Sequence, residues 1–472
     1  MGFVHQTVMD KLNKVRVLVL LILAAFTSDA FAQAPETPVI MTGKDPVIII
    51  PGLTGSDLIN AKTGEEVWFK AQRAKDDDIR LPISPILSRN RDDLVSKDII
   101  RSVKFLKFLP ETEIYERLIN ALEKRGYREA KWNTATAADL KDTFFVFPYD
   151  WRRDNVESAR QLIQRIEALK RRLRRPNARF NVLAHSMGGL VTRYAAMYGN
   201  ADIPRGTPRP TWAGARHFQK IFLVGTPNEG SLSSLNALLN GFSYIGGGLN
   251  LPFIQNISRY DVFTIPSIYQ LLPHEASLRI YGEDLKPIEL DIYDSETWEK
   301  YDWAIWREDD FSKKFTAEEQ KQAQAYFRAA LLRAKRFQGA LNANTSEKLP
   351  VSFYLVGADC KETPSGALLL RDEKKGRWQT SFKADGFTRS DGEKVSADQL
   401  KTLMFSVGDS VVTKGSLFAE SIIASGKKAV LPVTSELYQC ESHSKLVTNP
   451  EIQDKLFVML QSGADTRIGA TP

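Results

Sequence analysis

A chain of 472 residues exceeds what one hydrophobic core usually serves, so a core domain with a large insertion, or a second domain, is expected. Hydrophobic residues make up 43% and charged residues 26%, which excludes a disordered chain and a predominantly membrane-embedded one. The net charge of +7 is dispersed, and its densest run, Lys170 to Arg175, closes a predicted helix where cations offset the dipole, so no nucleic-acid partner is expected.

The chain opens with an apolar run from Val17 to Phe26, preceded by Lys11, Lys14 and Arg16 and followed by Ala30-Phe31-Ala32. The run falls short of the ~20 residues a membrane-spanning helix needs, and a small-residue cleavage site follows it. Residues 1–32 are therefore read as a signal peptide directing export to the periplasm or the extracellular space, with membrane association allowed. An uncleaved anchor is the alternative. Cys360 and Cys440 survive cleavage, and either one disulfide or two buried thiols would satisfy them. Their spacing fits no zinc pattern, and no metal or cofactor is expected.

From Val47 onward, short β-branched runs alternate with helical ones, the pattern of βαβ units and a largely parallel sheet. VIIIPGLTGS is a strand buried on both faces followed by a sharp turn. Residues 59–110 form an irregular excursion containing Trp68 and an Asp-rich loop. In ETEIYERLINALEKRGY, Ile114, Leu118 and Leu122 share one helical face and Gly126 marks the stop. FFVFPYDWR, from Phe144 to Arg152, is a second buried strand ending in a polar elbow at Pro148. The spacing of Ala159, Leu162, Ile163, Ile166, Leu169 and Leu173 then predicts a helix that ends before Pro176. Strand RFNVLAHS, helix MGGLVTRYAAMYG and strand FQKIFLVG follow.

Between Glu229 and Arg259 no charged residue occurs, while Leu235, Leu238, Leu239, Phe242, Ile245, Leu251 and Phe253 gather around Gly246-Gly247-Gly248. Residues 231–315 are read as an inserted cap or lid. A helix from Thr316 to Phe337, opened by a Thr316/Glu319 capping box, and strand VSFYLVG return the chain to its core. The expected division is thus a core in two parts, 46–230 and 316–465, with the cap between them.

The chemistry centres on Ala184-His185-Ser186-Met187-Gly188, a G-x-S-x-G pattern with alanine first, set between a strand and a helix. That context defines a nucleophile elbow, in which a strained turn presents the serine hydroxyl at the sheet edge and the helix N-terminus favours developing negative charge. The fold class is α/β, of the α/β-hydrolase type: a mostly parallel sheet flanked by helices.

A serine nucleophile needs a histidine base and an orienting carboxylate, in the chain order Ser, acid, His. Of five histidines, His5 lies in the leader and His185 precedes the serine. His217 starts a strand at the wrong end, and His274 lies in the insertion. His443, in a loop before the helix that opens at Asn449 and Pro450, is the candidate base. Asp409 in VGDSVV is preferred as the acid over Asp359, which follows VSFYLVG. The oxyanion donors would be the backbone N–H groups of Leu53, in the loop after the first strand, and Met187.

Taken in order, PVIIIPGLTGSDL, EEVW, FPYDWR, LAHSMGGLVTRY, LVGTPNEGS, IPSIYQLLP, GDSVV and the His443 loop resemble the lecithin:cholesterol acyltransferase family. The resemblance implies a Ser186-His443-Asp409 triad, a cap with a mobile lid, and lipid contact around Trp68. Two places depart from the family pattern: Ala184 replaces the usual elbow glycine, and Val411 stands where the acid motif usually carries threonine.

The function expected is serine-dependent acyl transfer from a lipid ester, phospholipid or acylglycerol, through an acyl-enzyme to water or an alcohol. The partners are then a lipid substrate, an acyl acceptor and a lipid or membrane surface. A short-chain carboxylesterase or thioesterase, or a non-catalytic lipid-binding protein on the same fold, are the alternatives.

Overall fold

Four consecutive β-branched residues can be buried on both sides only inside a covered sheet, and Val47–Ile50 forms such a strand, β1, at 0–1% exposure. The structure is a computed structural model that describes residues 43–70, 78–103, 112–242, 257–343, 350–420, 431 and 433–461. The expected leader at residues 1–32 lies outside the described residues, as do Ile245, Gly246 to Gly248, Leu251 and Phe253 of the cap.

After β1 the chain adds β2 (Arg128–Glu129), β3 (Thr143–Val146), β4 (Phe180–His185), β5 (Phe218–Val224), β6 (Ser352–Gly357) and β7 (Val433–Tyr438). These strands form a parallel seven-stranded sheet in the order β7-β6-β5-β4-β1-β3-β2. The flanking helices are α1 (Glu116–Lys124), α2 (Asn155–Leu173), α3 (Met187–Tyr198), α4 (Ala317–Leu341) and α5 (Pro450–Gln461). This is the α/β architecture that the alternating pattern predicts.

Strand periodicity assigns the two faces. Val47, Ile49, Phe144, Val146, Leu183, Phe222, Val224, Tyr354 and Val356 point to one side and pack with Leu118 and Leu122 of α1 and Ile452 and Leu456 of α5. Helix α3 packs against α2 and lies on β1, β4 and β5. Helix α1 begins at Glu116, two residues after Ile114, because residues 112–113 are held in a short strand pair with Ser102–Val103. The Thr316 capping box of α4 forms as its sequence predicts.

Between β5 and α4 the described chain contains short helices at Leu232–Asn240, Arg259–Phe263, Pro266–Tyr269, Ser295–Lys300 and Phe311–Lys314 and a strand at Ile280–Tyr281. A second excursion leaves the sheet after β6. Its strand Ala367–Asp372 pairs with both Ile280–Tyr281 and Arg377–Ser381. The Trp303 indole N–H donates to Thr380 Oγ1 at 2.7 Å, and Asp302 Oδ2 accepts from the Trp378 N–H at 2.9 Å. The two excursions thus build one composite layer. Among the described residues no helix is long and apolar enough to cross a membrane.

Candidate active site

Strand order brings the site together. β1 runs between β3 and β4, with Ile50 level with Ala184, so the loop leaving β1 and the turn leaving β4 emerge side by side at the C-terminal edge. At that turn Ser186 adopts φ 54°, ψ −126°, a left-handed conformation that a non-glycine residue holds only when its surroundings impose it. Here its N–H donates to Val224 O at 2.7 Å, and α3 begins at the next residue. Ala184, in place of glycine, is fully buried between Ile50 and Leu223.

His443 lies in the loop after β7, at the sheet edge, yet its ring reaches Ser186. Nε2 is 2.9 Å from Ser186 Oγ, and Nδ1 is 2.7 Å from Asp409 Oδ2. A carboxylate only accepts, so Nδ1 carries the proton and Nε2 offers its lone pair to the serine hydroxyl. The His443 backbone N–H donates to Asp409 O at 2.8 Å. Gly225, after β5, lies beneath the imidazole at φ +58°, where a Cβ would come within 3.1 Å of Cε1 and Nδ1.

Asp409 is 2% exposed, and its other oxygen accepts from the N–H groups of Val411 at 3.0 Å and Val412 at 2.7 Å. Burial opposes its charge, but the His443 imidazole and these two N–H groups outweigh burial and hold its carboxyl below the usual carboxylate value. Main chain therefore supports the carboxylate, and valine at 411 removes none of that support. Asp359, the other candidate acid, is exposed and pairs with Lys414 at 3.6 Å.

The loop Pro51 to Ser56 is gripped by aromatic side chains. Tyr149 Oη donates to Pro51 O at 2.9 Å, Tyr115 Oη accepts from the Gly52 N–H at 2.9 Å, and Trp151 Nε1 donates to Ser56 O at 3.2 Å. Trp68 Nε1 donates to Thr54 O at 3.0 Å, and the Trp68 ring meets that of Trp151 edge to face. The indole expected at a lipid surface is thus only 2% exposed and buttresses this loop. Arg152, fully buried, bridges Asp150 and Asp92 and fixes the far side of the same elbow. A Cβ on Gly52 would come within 2.8 Å of Ser186 Cβ, so the loop packs directly on Ser186. The Leu53 and Met187 N–H groups flank this contact and donate to no other described residue.

The sequence profile of the lecithin:cholesterol acyltransferase family matches residues 86–327, just over half of the chain. The chain belongs to that family. Membership places it among enzymes that transfer acyl groups from, or hydrolyse, lipid esters. One chain in "The crystal structure of Tle4-Tli4 complex" is similar at TM-score 0.54 and 14% identity, covering 89% of this chain and 99% of its own, a likeness of fold. Bacillus licheniformis lipase BlEst2 in its mature form also matches, at TM-score 0.32 and 12% identity, over 89% of this chain and 93% of its own. No curated protein matches significantly in sequence.

Two further side chains meet at the site beyond the expected triad and oxyanion donors. His185 Nδ1 lies 2.9 Å from Tyr115 Oη, and its Nε2 lies 3.3 Å from His443 O. Only the placement of His185 on the elbow hints at a role, and nothing in the helix sequence singles out Tyr115. The remaining described histidines are elsewhere: His217 sits between Lys170 and Glu167, and His274 Nδ1 accepts from the Ala276 N–H. Cys360 and Cys440 are joined in a disulfide, beyond the C-terminal ends of the paired strands β6 and β7 and three residues before His443.

Proposed function

We propose that this chain is an exported serine acyltransferase or lipase that takes an acyl group from a phospholipid or acylglycerol through an acyl-enzyme on Ser186. The observation that carries the reading is the hydrogen-bonded series Ser186, His443, Asp409, with spacings of 2.9 and 2.7 Å, beside two undirected backbone donors. In the first step Ser186 Oγ attacks the ester carbonyl carbon while its proton passes to His443 Nε2. The carbonyl oxygen becomes an oxyanion facing the Leu53 and Met187 N–H groups. The carbon–oxygen bond to the lipid alcohol then breaks, and His443 returns its proton to that leaving oxygen. In the second step an acceptor hydroxyl, from water or an alcohol, gives its proton to His443 and attacks the acyl-enzyme; the bond from the acyl carbon to Ser186 Oγ then breaks, and His443 returns the proton to Oγ. Asp409 holds the imidazole tautomer and balances the imidazolium without taking the proton.

The remaining assignments follow the same reading. Residues 1–32 act as the export signal, and the disulfide supports an oxidising destination. Residues 231–315 act as a cap over a core formed by residues 46–230 and 316–465. Among the described residues of the 59–110 excursion, lipid-surface contact falls to the exposed apolar side chains Ile86 and Val95 rather than to Trp68. The test is covalent labelling by a fluorophosphonate together with product analysis of a labelled phospholipid, with and without alcohol acceptors. Labelling and acyl release that vanish in Ser186→Ala are expected. A folded wild type that neither labels nor cleaves the lipid would refute the reading.

A further inference from the structure

We propose that Tyr115 and His185 are positioning residues for acyl transfer, a hydrogen-bonded pair, Tyr115 buried and His185 partly so, that fixes the oxyanion loop at Gly52 relative to the backbone of His443. The proposal rests on the serine mechanism given above, and it assigns work to two residues outside the triad.

The direction of every bond in the series is determined. The His443 carbonyl can only accept, so His185 Nε2, 3.3 Å away, carries the proton. A neutral imidazole then has Nδ1 as acceptor, so the Tyr115 hydroxyl, 2.9 Å away, donates to it. That leaves a Tyr115 oxygen lone pair for the Gly52 N–H, also at 2.9 Å. Burial, helped by the nearby His443, lowers the His185 pKa to about 3 and keeps the ring neutral. A neutral ring matters here, because a second cation beside the His443 imidazolium would oppose its formation.

The surroundings are apolar apart from Gln453, whose amide nitrogen donates to Val447 O at 2.8 Å. Ile49, Leu118, Leu183, Val224, Leu446 and Val447 line a cavity of about 10 Å³ beside the pair, no larger than a single water probe. A leucine at position 185 would satisfy such a core more cheaply than an imidazole, which needs two partners. What the imidazole adds is connection. One end of the series stops at Gly52, next to the Leu53 donor and in contact with Ser186; the other stops at the carbonyl of His443. The base is therefore fixed at its side chain by Asp409, and at its backbone by Asp409 through N–H and by His185 through C=O. When negative charge forms at the oxyanion donors and positive charge on His443, their spacing is already set and little has to reorganise.

The experiment measures kcat, KM and melting temperature for the full-length chain with Tyr115→Phe, His185→Leu, His185→Gln and the Tyr115→Phe/His185→Leu double variant, on an ester substrate. Loss of one such bond should lower kcat about three- to tenfold in Tyr115→Phe and in His185→Leu, with KM unchanged. The double variant should be no slower than the slower single variant, because either change severs the same series. His185→Gln, whose amide nitrogen can take the place of Nε2, should recover part of the His185→Leu loss. Unchanged kcat in Tyr115→Phe, losses confined to KM, or fully additive losses would overturn the proposal. Tyr115→Phe is isosteric and decides alone where His185→Leu fails to fold. A wild type that Ser186→Ala does not inactivate would instead refute the serine mechanism, so the two failures are distinguishable.

Discussion

Replacing Gly225 by alanine should displace the base without altering the chemical identity of any group that takes part in the reaction. At the φ of +58° found there, the new Cβ would lie 2.9 Å from Leu446 Cδ1 and 3.1 Å from both Cε1 and Nδ1 of His443. Non-bonded heavy atoms settle at about 3.5–4.0 Å, so the ring must withdraw by about half an ångström. The ring is held at both nitrogens, and withdrawal of that size away from Ser186 would stretch the 2.9 Å contact to as much as about 3.4 Å, past the usual range of about 2.7–3.2 Å. A misplacement of about 1 Å costs about 10²-fold in rate, so about half that distance should cost about tenfold in kcat. The left-handed backbone adds about 1 kcal/mol of strain, lowering the melting temperature by roughly 2 °C. Saturating ester turnover, fluorophosphonate labelling rate and a thermal melt measure the three effects. Wild-type turnover and labelling in a folded Gly225→Ala protein would refute the claim that this position sets the placement of His443.

Asp409→Asn should lower kcat by about 10⁴-fold, the loss expected when the imidazole takes the wrong tautomer; Asp359→Asn, which only frees Lys414, should retain near wild-type turnover. Replacing both Cys360 and Cys440 by serine should cost about 4 kcal/mol in denaturant unfolding, because the disulfide closes a loop spanning 80 residues of sequence. Acid sensitivity follows from His185. Its folded pKa of about 3 lies below the ordinary 6.5, so the unfolded chain binds the extra proton between those values. Stability contributed by its neutral burial is complete above about pH 6.5 and lost as pH falls toward about 3. His217, lowered to about 4 by burial and by Lys170, acts in the same direction. Melting curves across that window should be flatter for His185→Gln than for wild type; parallel curves would contradict the assignment.

Local patterns were enough for the elements and for the strained turn at Ser186. Strands such as Val47–Ile50 and Phe180–His185 are legible because a parallel sheet covered on both faces demands unbroken apolar runs. The Thr316 capping box is legible because its partners are three residues apart. Ser186 stood out because the strand, turn and helix that strain its backbone are contiguous in the chain. The composite layer built on Ile280–Tyr281, Ala367–Asp372 and Arg377–Ser381 is different. Its defining pair, Ile280–Tyr281 with Ala367–Leu368, joins a two-residue strand, too short to show an alternating pattern, to a strand 87 residues away in register.

By itself the sequence determined the sheet, the elbow and the short list of residues able to serve as base and acid, since each depends on residue type and local spacing. Tertiary structure decided which of those residues meet. It brought Asp409 and not Asp359 to His443, buried Trp68 beneath the Thr54 carbonyl, and ran Tyr115 and His185 between the two halves of the site. The physical reason is distance along the chain: Ser186 and His443 lie 257 residues apart, and no local rule encodes a hydrogen bond that exists only once β1, β4 and β5 lie side by side.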